Sequence, residues 1–100
     1  IQKAILDYLR YRYKKDIVIF KHRNVGIFKQ ATNSYIPLAS GEKGISDLIG
    51  CLPDGRFLAI EVKMPGRKAS VEQLEFLERV KRNKGVAILA FSLDDVTSMI

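Results

Sequence analysis

The chain has 100 residues, 47% of them hydrophobic and 28% charged, which supports one folded core and excludes a disordered chain. No apolar run approaches the ~18 residues of a membrane helix, no secretory leader is visible, and a single cysteine, Cys51, excludes an internal disulfide or a Cys-rich zinc site. The net charge of +6 fits either a polyanionic partner, most plausibly nucleic acid, or a merely solvated basic surface.

Ile1, Ala4, Ile5, Tyr8 and Leu9 follow the i, i+3, i+4, i+7 spacing of an amphipathic helix. That helix is expected to end near Lys14, with basic residues in its last turn, where the helix dipole favours them. Residues 16–22 read as a strand, residues 26–31 as a second one, and residues 32–43, with Asn, Ser, Pro and Gly, as a mobile loop. Two strands over 46–52 and 56–63 then flank the turn Pro53-Asp54-Gly55.

A helix over 70–84 follows, stopped by Gly85. Gln73, Leu77 and Val80 share its buried face with Leu74 alongside, while Glu72, Glu75, Arg79 and Arg82 face solvent. Residues 86–91 are a continuous apolar run, as expected of a strand covered on both faces. Ser92 opens a short last helix with Asp95 as its capping partner. The order predicts an α/β fold: a mixed central sheet flanked by helices, in one domain over 1–100, with 56–91 forming a β-α-β crossover to a parallel neighbour.

The hairpin raises a chemical question. With a three-residue loop, Leu52 lies opposite Arg56, Leu48 opposite Ile60, and Asp47 opposite Glu61. The two carboxylates then have Cβ atoms ~5 Å apart, and their repulsion is roughly 3 kcal/mol at an effective dielectric near 20. Lys63 on the same face offsets part of it. A divalent cation offsets more, because Mg²⁺ takes one or two carboxylates and completes its shell with water and phosphate oxygens. Two readings stand from spacing alone: a strand-end salt bridge without metal, or a metal site. Gln73 likewise reads as the capping partner of Ser70 or as a group reaching toward a metal site or the attacking water. His22, in the basic run Lys21-His22-Arg23, reads as a surface or phosphate-contact residue rather than a base, and Cys51 as a small buried hydrophobe.

With Asp47, Glu61-Val62-Lys63 and Gln73 in place, the chain resembles the PD-(D/E)XK nuclease superfamily, and more closely its VRR-NUC family. The resemblance runs from IQKAILDYL through GISDLIG and GRFLAIEVK to SVEQLEFLERVKRNKGVAILAFSLDDV, which is most of the chain. It implies a restriction-endonuclease-like core, with Mg²⁺ or Mn²⁺ held by Asp47, Glu61 and the main-chain carbonyl of Val62. It further implies that Lys63 positions or deprotonates the attacking water and that Gln73 supports the site. Small members are similar to Holliday junction resolvases and can be homodimers, while modules of larger repair enzymes act on flaps and branched ends.

The expected function is therefore metal-dependent hydrolysis of structured DNA, most plausibly four-way junctions cut by a homodimer. A flap nuclease, a DNA-binding module that no longer cuts, and an enzyme acting on RNA are the alternatives. Lys43, Arg67 and Lys68 are candidate phosphate contacts. No membrane partner is expected, and the compartment is a reducing one, cytoplasm or nucleus. Two departures stand out. Ser46 replaces the motif's proline, and the glutamate usual at the start of the first helix has no counterpart after Ile1, with Asp7 the nearest acid but in another register.

Overall fold

The computed structural model describes residues 1–22, 27–29, 34–36 and 43–100. Helix α1 (Gln2–Tyr13) buries Ile5, Leu6 and Leu9. Ile1 and Ala4, expected on that stripe, are exposed, so the first turn overhangs the core and the buried face begins one turn later. The Tyr8 and Tyr13 hydroxyls both donate to the Ile100 carbonyl, at 3.2 and 3.1 Å, which fastens α1 to the end of the chain. A 3-10 turn, Lys14–Asp16, takes up the start of the expected first strand, leaving β1 as Val18–Lys21.

Strands β2 (Ile27–Lys29) and β3 (Ser34–Ile36) pair antiparallel as a separate two-stranded sheet, with Phe28 opposite Tyr35. β3 corrects the loop expected over 32–43, because its Tyr and Ile residues favour extended backbone once a partner strand is present. The remainder of the expected second strand and of that loop, residues 26, 30–33 and 37–42, lies outside the described residues.

The main sheet has the order β1-β4-β5-β6, with β4 at Leu48–Cys51, β5 at Phe57–Val62 and β6 at Val86–Ala90. β5 and β6 are parallel and the other pairs antiparallel, which makes the sheet mixed. The hairpin register is as expected: Leu48 faces Ile60, Ile49 faces Ala59, and the Leu52 N–H donates to the Arg56 carbonyl at 2.9 Å. Gly55, with φ +94°, provides the left-handed residue that this three-residue loop requires.

Side-chain alternation sorts the two faces. Leu48, Leu58, Ile60, Ile88 and Ala90 pack with Ile5, Leu9 and Val96 of α1 and of α3 (Leu93–Thr97). Ala59 and Ala87 pack with Leu77 and Val80 of α2 (Val71–Arg82). Leu74, expected beside that stripe, is exposed, and Phe76 takes its place against the sheet.

Both helix-end expectations need adjustment. The left-handed residue that ends α2 is Lys84, with φ 68°, in a Schellman arrangement: the Lys84 N–H donates to Lys81 and the Gly85 N–H to Val80. Gly85 is required for a different reason, since a Cβ there would lie 2.9 Å from the Phe57 carbonyl oxygen. At α3, the Ser92 side chain makes no capping bond, and the Asp95 carboxylate accepts instead from the Phe91 N–H at 2.8 Å. Cys51, read as buried, is half-buried, and its thiol donates to the Leu52 carbonyl at 3.3 Å. Among the described residues, no helix is long and apolar enough to cross a membrane.

Candidate active site

One step beyond the Leu48–Ile60 pair, the register brings Asp47 level with Glu61, on the face that α2 covers. Asp47 is held from both sides. Its carbonyl accepts from the His22 N–H at 2.8 Å, and its carboxylate accepts from the Val62 N–H at 3.0 Å. The side chain is therefore aimed along the sheet toward β5 rather than out to solvent.

Glu61 is 1% exposed, which is costly for a carboxylate. One of its oxygens, Oε2, accepts from Gln73 Nε2 at 3.2 Å and lies 3.5 Å from Lys63 Nζ. The other, Oε1, is buried without a hydrogen-bond partner. Burial, and then the neighbouring charge of Asp47, push the Glu61 carboxyl up to about 7, with Lys63 opposing the shift.

Gln73 resolves the choice between cap and site by doing both. Its Oε1 accepts from the Ser70 N–H at 2.8 Å, the Ser70 hydroxyl accepts from the Gln73 N–H at 3.1 Å, and its Nε2 is left for Glu61. The capping box thus fixes which end of the amide points at the acid. Gly44 packs against the same first turn: at φ +77°, a Cβ on it would lie 2.3 Å from the Glu72 carbonyl. Lys43, next to Gly44 in the chain, is exposed.

Arg67 and Lys68 are exposed just after β5, beyond the Pro65-Gly66 turn, which the Arg67 N–H closes on the Met64 carbonyl at 3.0 Å. Asp7 is on the exposed side of α1, ion-paired with Lys3 at 2.9 Å, and takes no part. Ser46, where the motif has proline, is fully buried with an unpartnered hydroxyl.

Sequence reasoning missed the place of His22. It is half-buried at the end of β1, and strand alternation puts it on the face of Asp47 and Glu61. No local signal announces this, because the register of β1 on β4 is set across a long connection. Among the described residues, no third His, Cys, Asp or Glu completes a metal cage with the acid pair. Two carboxylates with a free oxygen suit a hydrated hard cation rather than zinc.

A mixed sheet flanked by helices, with an acid pair beside a lysine at one end, is an α/β domain of the kind a nuclease uses. The sequence profile of the VRR-NUC domain matches residues 5–92, and the chain belongs to that family. Neither a curated protein nor a solved structure matches the chain.

Proposed function

We propose that this domain is a metal-dependent, structure-selective DNA endonuclease that hydrolyses phosphodiester bonds, with Asp47, Glu61, Lys63 and Gln73 as its working residues. The observation that carries this reading is the buried Glu61, with Oε1 unpartnered and its proton affinity raised by burial and then by an acid neighbour that folding has pinned beside it. A fold that gains nothing from this arrangement keeps it for a ligand, and the donor set fits Mg²⁺ or Mn²⁺.

Asp47, Glu61 and the main-chain carbonyl of Val62 would hold the ion. When bound, it supplies charge stabilisation for the phosphate and lowers the pKa of water. Gln73 orients Glu61 through Oε2, leaving Oε1 for the ligand. Lys63, with a side chain 22% exposed beside Glu61, aligns the attacking water as an ammonium or, in its neutral form, accepts its proton. The exposed Lys43, Arg67 and Lys68 position the DNA backbone without reading its sequence.

For the substrate we propose four-way junction DNA cut by a homodimer, since a symmetric junction needs two nicks and a two-fold dimer presents two sites. The test is cleavage of labelled four-way junction, flap and plain duplex DNA with Mn²⁺ or Mg²⁺, comparing the chain with Lys63→Ala. Loss of cutting in the variant supports the reading, and the substrate cut assigns the class. DNA binding without cutting by either form would instead make this a binding module. A monomer in light scattering at high concentration would remove the dimer.

A further inference from the structure

Asp47 and Gln73 come to Glu61 from different parts of the fold. Asp47 stands just before β4 and accepts from the Val62 N–H, while Gln73 stands in the first turn of α2 and donates to Glu61 Oε2. The capping box orients the Gln73 amide within its own helix, but it does not set how far that turn lies from the strands. Nor does the apolar core. Leu77 and Val80 seat the later turns of α2 on the sheet, whereas Val71 and Leu74 of the first turns are 67 and 46% exposed.

Gly44 is where the first turn is held. It has a φ of +77°, and a Cβ built on it would lie 2.3 Å from both the carbonyl carbon and the carbonyl oxygen of Glu72, and 2.6 Å from the Gln73 nitrogen. All three are main-chain atoms of the turn that carries Gln73, so no side-chain rotation relieves the overlap. Only a residue without a Cβ lets that main chain come so close. Two other glycines with positive φ among the described residues differ. Gly55 at +94° and Gly66 at +87° have nothing within 4 Å of a Cβ, so backbone conformation alone accounts for them.

We propose that Gly44 is a positioning residue for the acid pair. Its close approach seats the first turn of α2 against the entry to β4, which brings Gln73 Nε2 onto Glu61 Oε2 and leaves Oε1 for the ligand. Ordinary contact begins at 3.4 Å, so a Cβ at 44 separates the two segments by about 1 Å. The 3.2 Å bond from Gln73 to Glu61 does not survive that separation, and the amide cannot turn to follow, because the Ser70 N–H holds its Oε1. The inference rests on the nuclease reading for the ligand alone; the link from Gly44 through Gln73 to Glu61 is tested without one.

The Gln73 side-chain amide is followed by NMR of isotope-labelled protein in EDTA, in wild type, Gly44→Ala, Gly44→Asn and Gly66→Ala. Gly66→Ala imposes left-handed strain in open space. Asparagine tolerates positive φ yet carries a Cβ, so Gly44→Asn keeps the test alive if the alanine variant does not fold. Both Gly44 variants are expected to shift the Gln73 Nε2 signals and to speed exchange of their protons with water, while Gly66→Ala leaves them in place. Calorimetric titration with Mn²⁺ is expected to show affinity roughly tenfold or more weaker in the Gly44 variants and unchanged in Gly66→Ala. Wild-type Gln73 signals in folded Gly44→Asn overturn the inference, as does equal disturbance by Gly66→Ala. Undiminished Mn²⁺ affinity in a Gly44 variant, where wild type binds the ion, overturns it too. A wild type that takes up no Mn²⁺ while the Gln73 signals shift as expected counts against the nuclease reading and upholds the positioning role.

Discussion

The two ends of the α2 face of the sheet invert what folding alone would choose. At one end a carboxylate is buried beside another carboxylate, with an oxygen left unpartnered. At the other, Val18 and Phe20 of β1 and Phe57 of β5 stand half in water. Exchanging the two chemistries would serve stability better, since buried charge and exposed apolar surface both cost free energy. Departures from local consistency concentrate where a protein binds something. On the proposed reading, the acid end is kept for a cation.

The comparison breaks most sharply at the acid end. Lys63→Ala is expected to lower the cleavage rate by ~10²–10⁴-fold, the usual range for losing a positioned proton acceptor, in a single-turnover gel assay. Glu61→Gln is expected to abolish cleavage while raising the metal-free stability at pH 8, measured by urea unfolding, because it removes a buried charge that lacks full compensation. A stability loss in Glu61→Gln would mean that the carboxylate is structural.

A pH series sharpens the same point. The Glu61 carboxyl is raised in the folded state from 4.5 to about 7, so the folded protein holds its proton more tightly than the unfolded chain does. Its contribution is fully present below pH 4.5 and is lost as pH rises through 7, a decline of ~3 kcal/mol at ~1.4 kcal/mol per unit. Urea unfolding in EDTA from pH 4.5 to 8 is expected to show that decline, over and above other titrations, and Glu61→Gln to remove it. Added Mn²⁺ is expected to restore stability at pH 8, by binding the ionised folded form.

Gln73 separates cap from site. Gln73→Glu keeps the capping-box chemistry with Ser70 but replaces the donor to Glu61 by a third acid. Helix stability is expected to survive and cleavage to fall, by ~10-fold or more, most steeply as pH rises. Gln73→Ala loses both bonds and is expected to cost ~1 kcal/mol as well. Wild-type cleavage by Gln73→Glu would mean that Gln73 acts only as a cap.

What was legible in the sequence follows the same physical division. The Asp47–Glu61 pairing was readable because a three-residue turn with Gly55 fixes register locally, and one residue of slip would put the acids on opposite faces. The Ser70 box was readable because both partners lie within one turn. Placing β1 against β4 was not, since that pairing closes across a long connection, and with it went the positions of His22, Val18 and Phe20. Ser92 shows the limit of local motifs: the same cap pattern is present, yet the shorter Asp95 side chain binds the Phe91 N–H instead. β3 was hidden inside a turn-rich stretch because three residues show too little alternation.

The smallest expected effect lies at the apolar end and tests whether strain there is functional. Lys84 holds a left-handed φ of 68° that costs a non-glycine residue ~1 kcal/mol, although glycine stands next to it. The two positions are not interchangeable, because the Phe57 carbonyl leaves no room for a Cβ at 85, while the chain reversal falls at 84. Lys84→Gly is therefore expected to stabilise the domain by ~0.5–1 kcal/mol in thermal or urea unfolding, with the Schellman bonds retained. Removing this cation from the basic end is also expected to lower the slope of log binding constant against log salt by ~1 if a phosphate sits on it. A stabilised variant with an unchanged salt slope would show that no phosphate sits on Lys84. A stabilised variant with a reduced slope would show that the strained residue is retained for its charge.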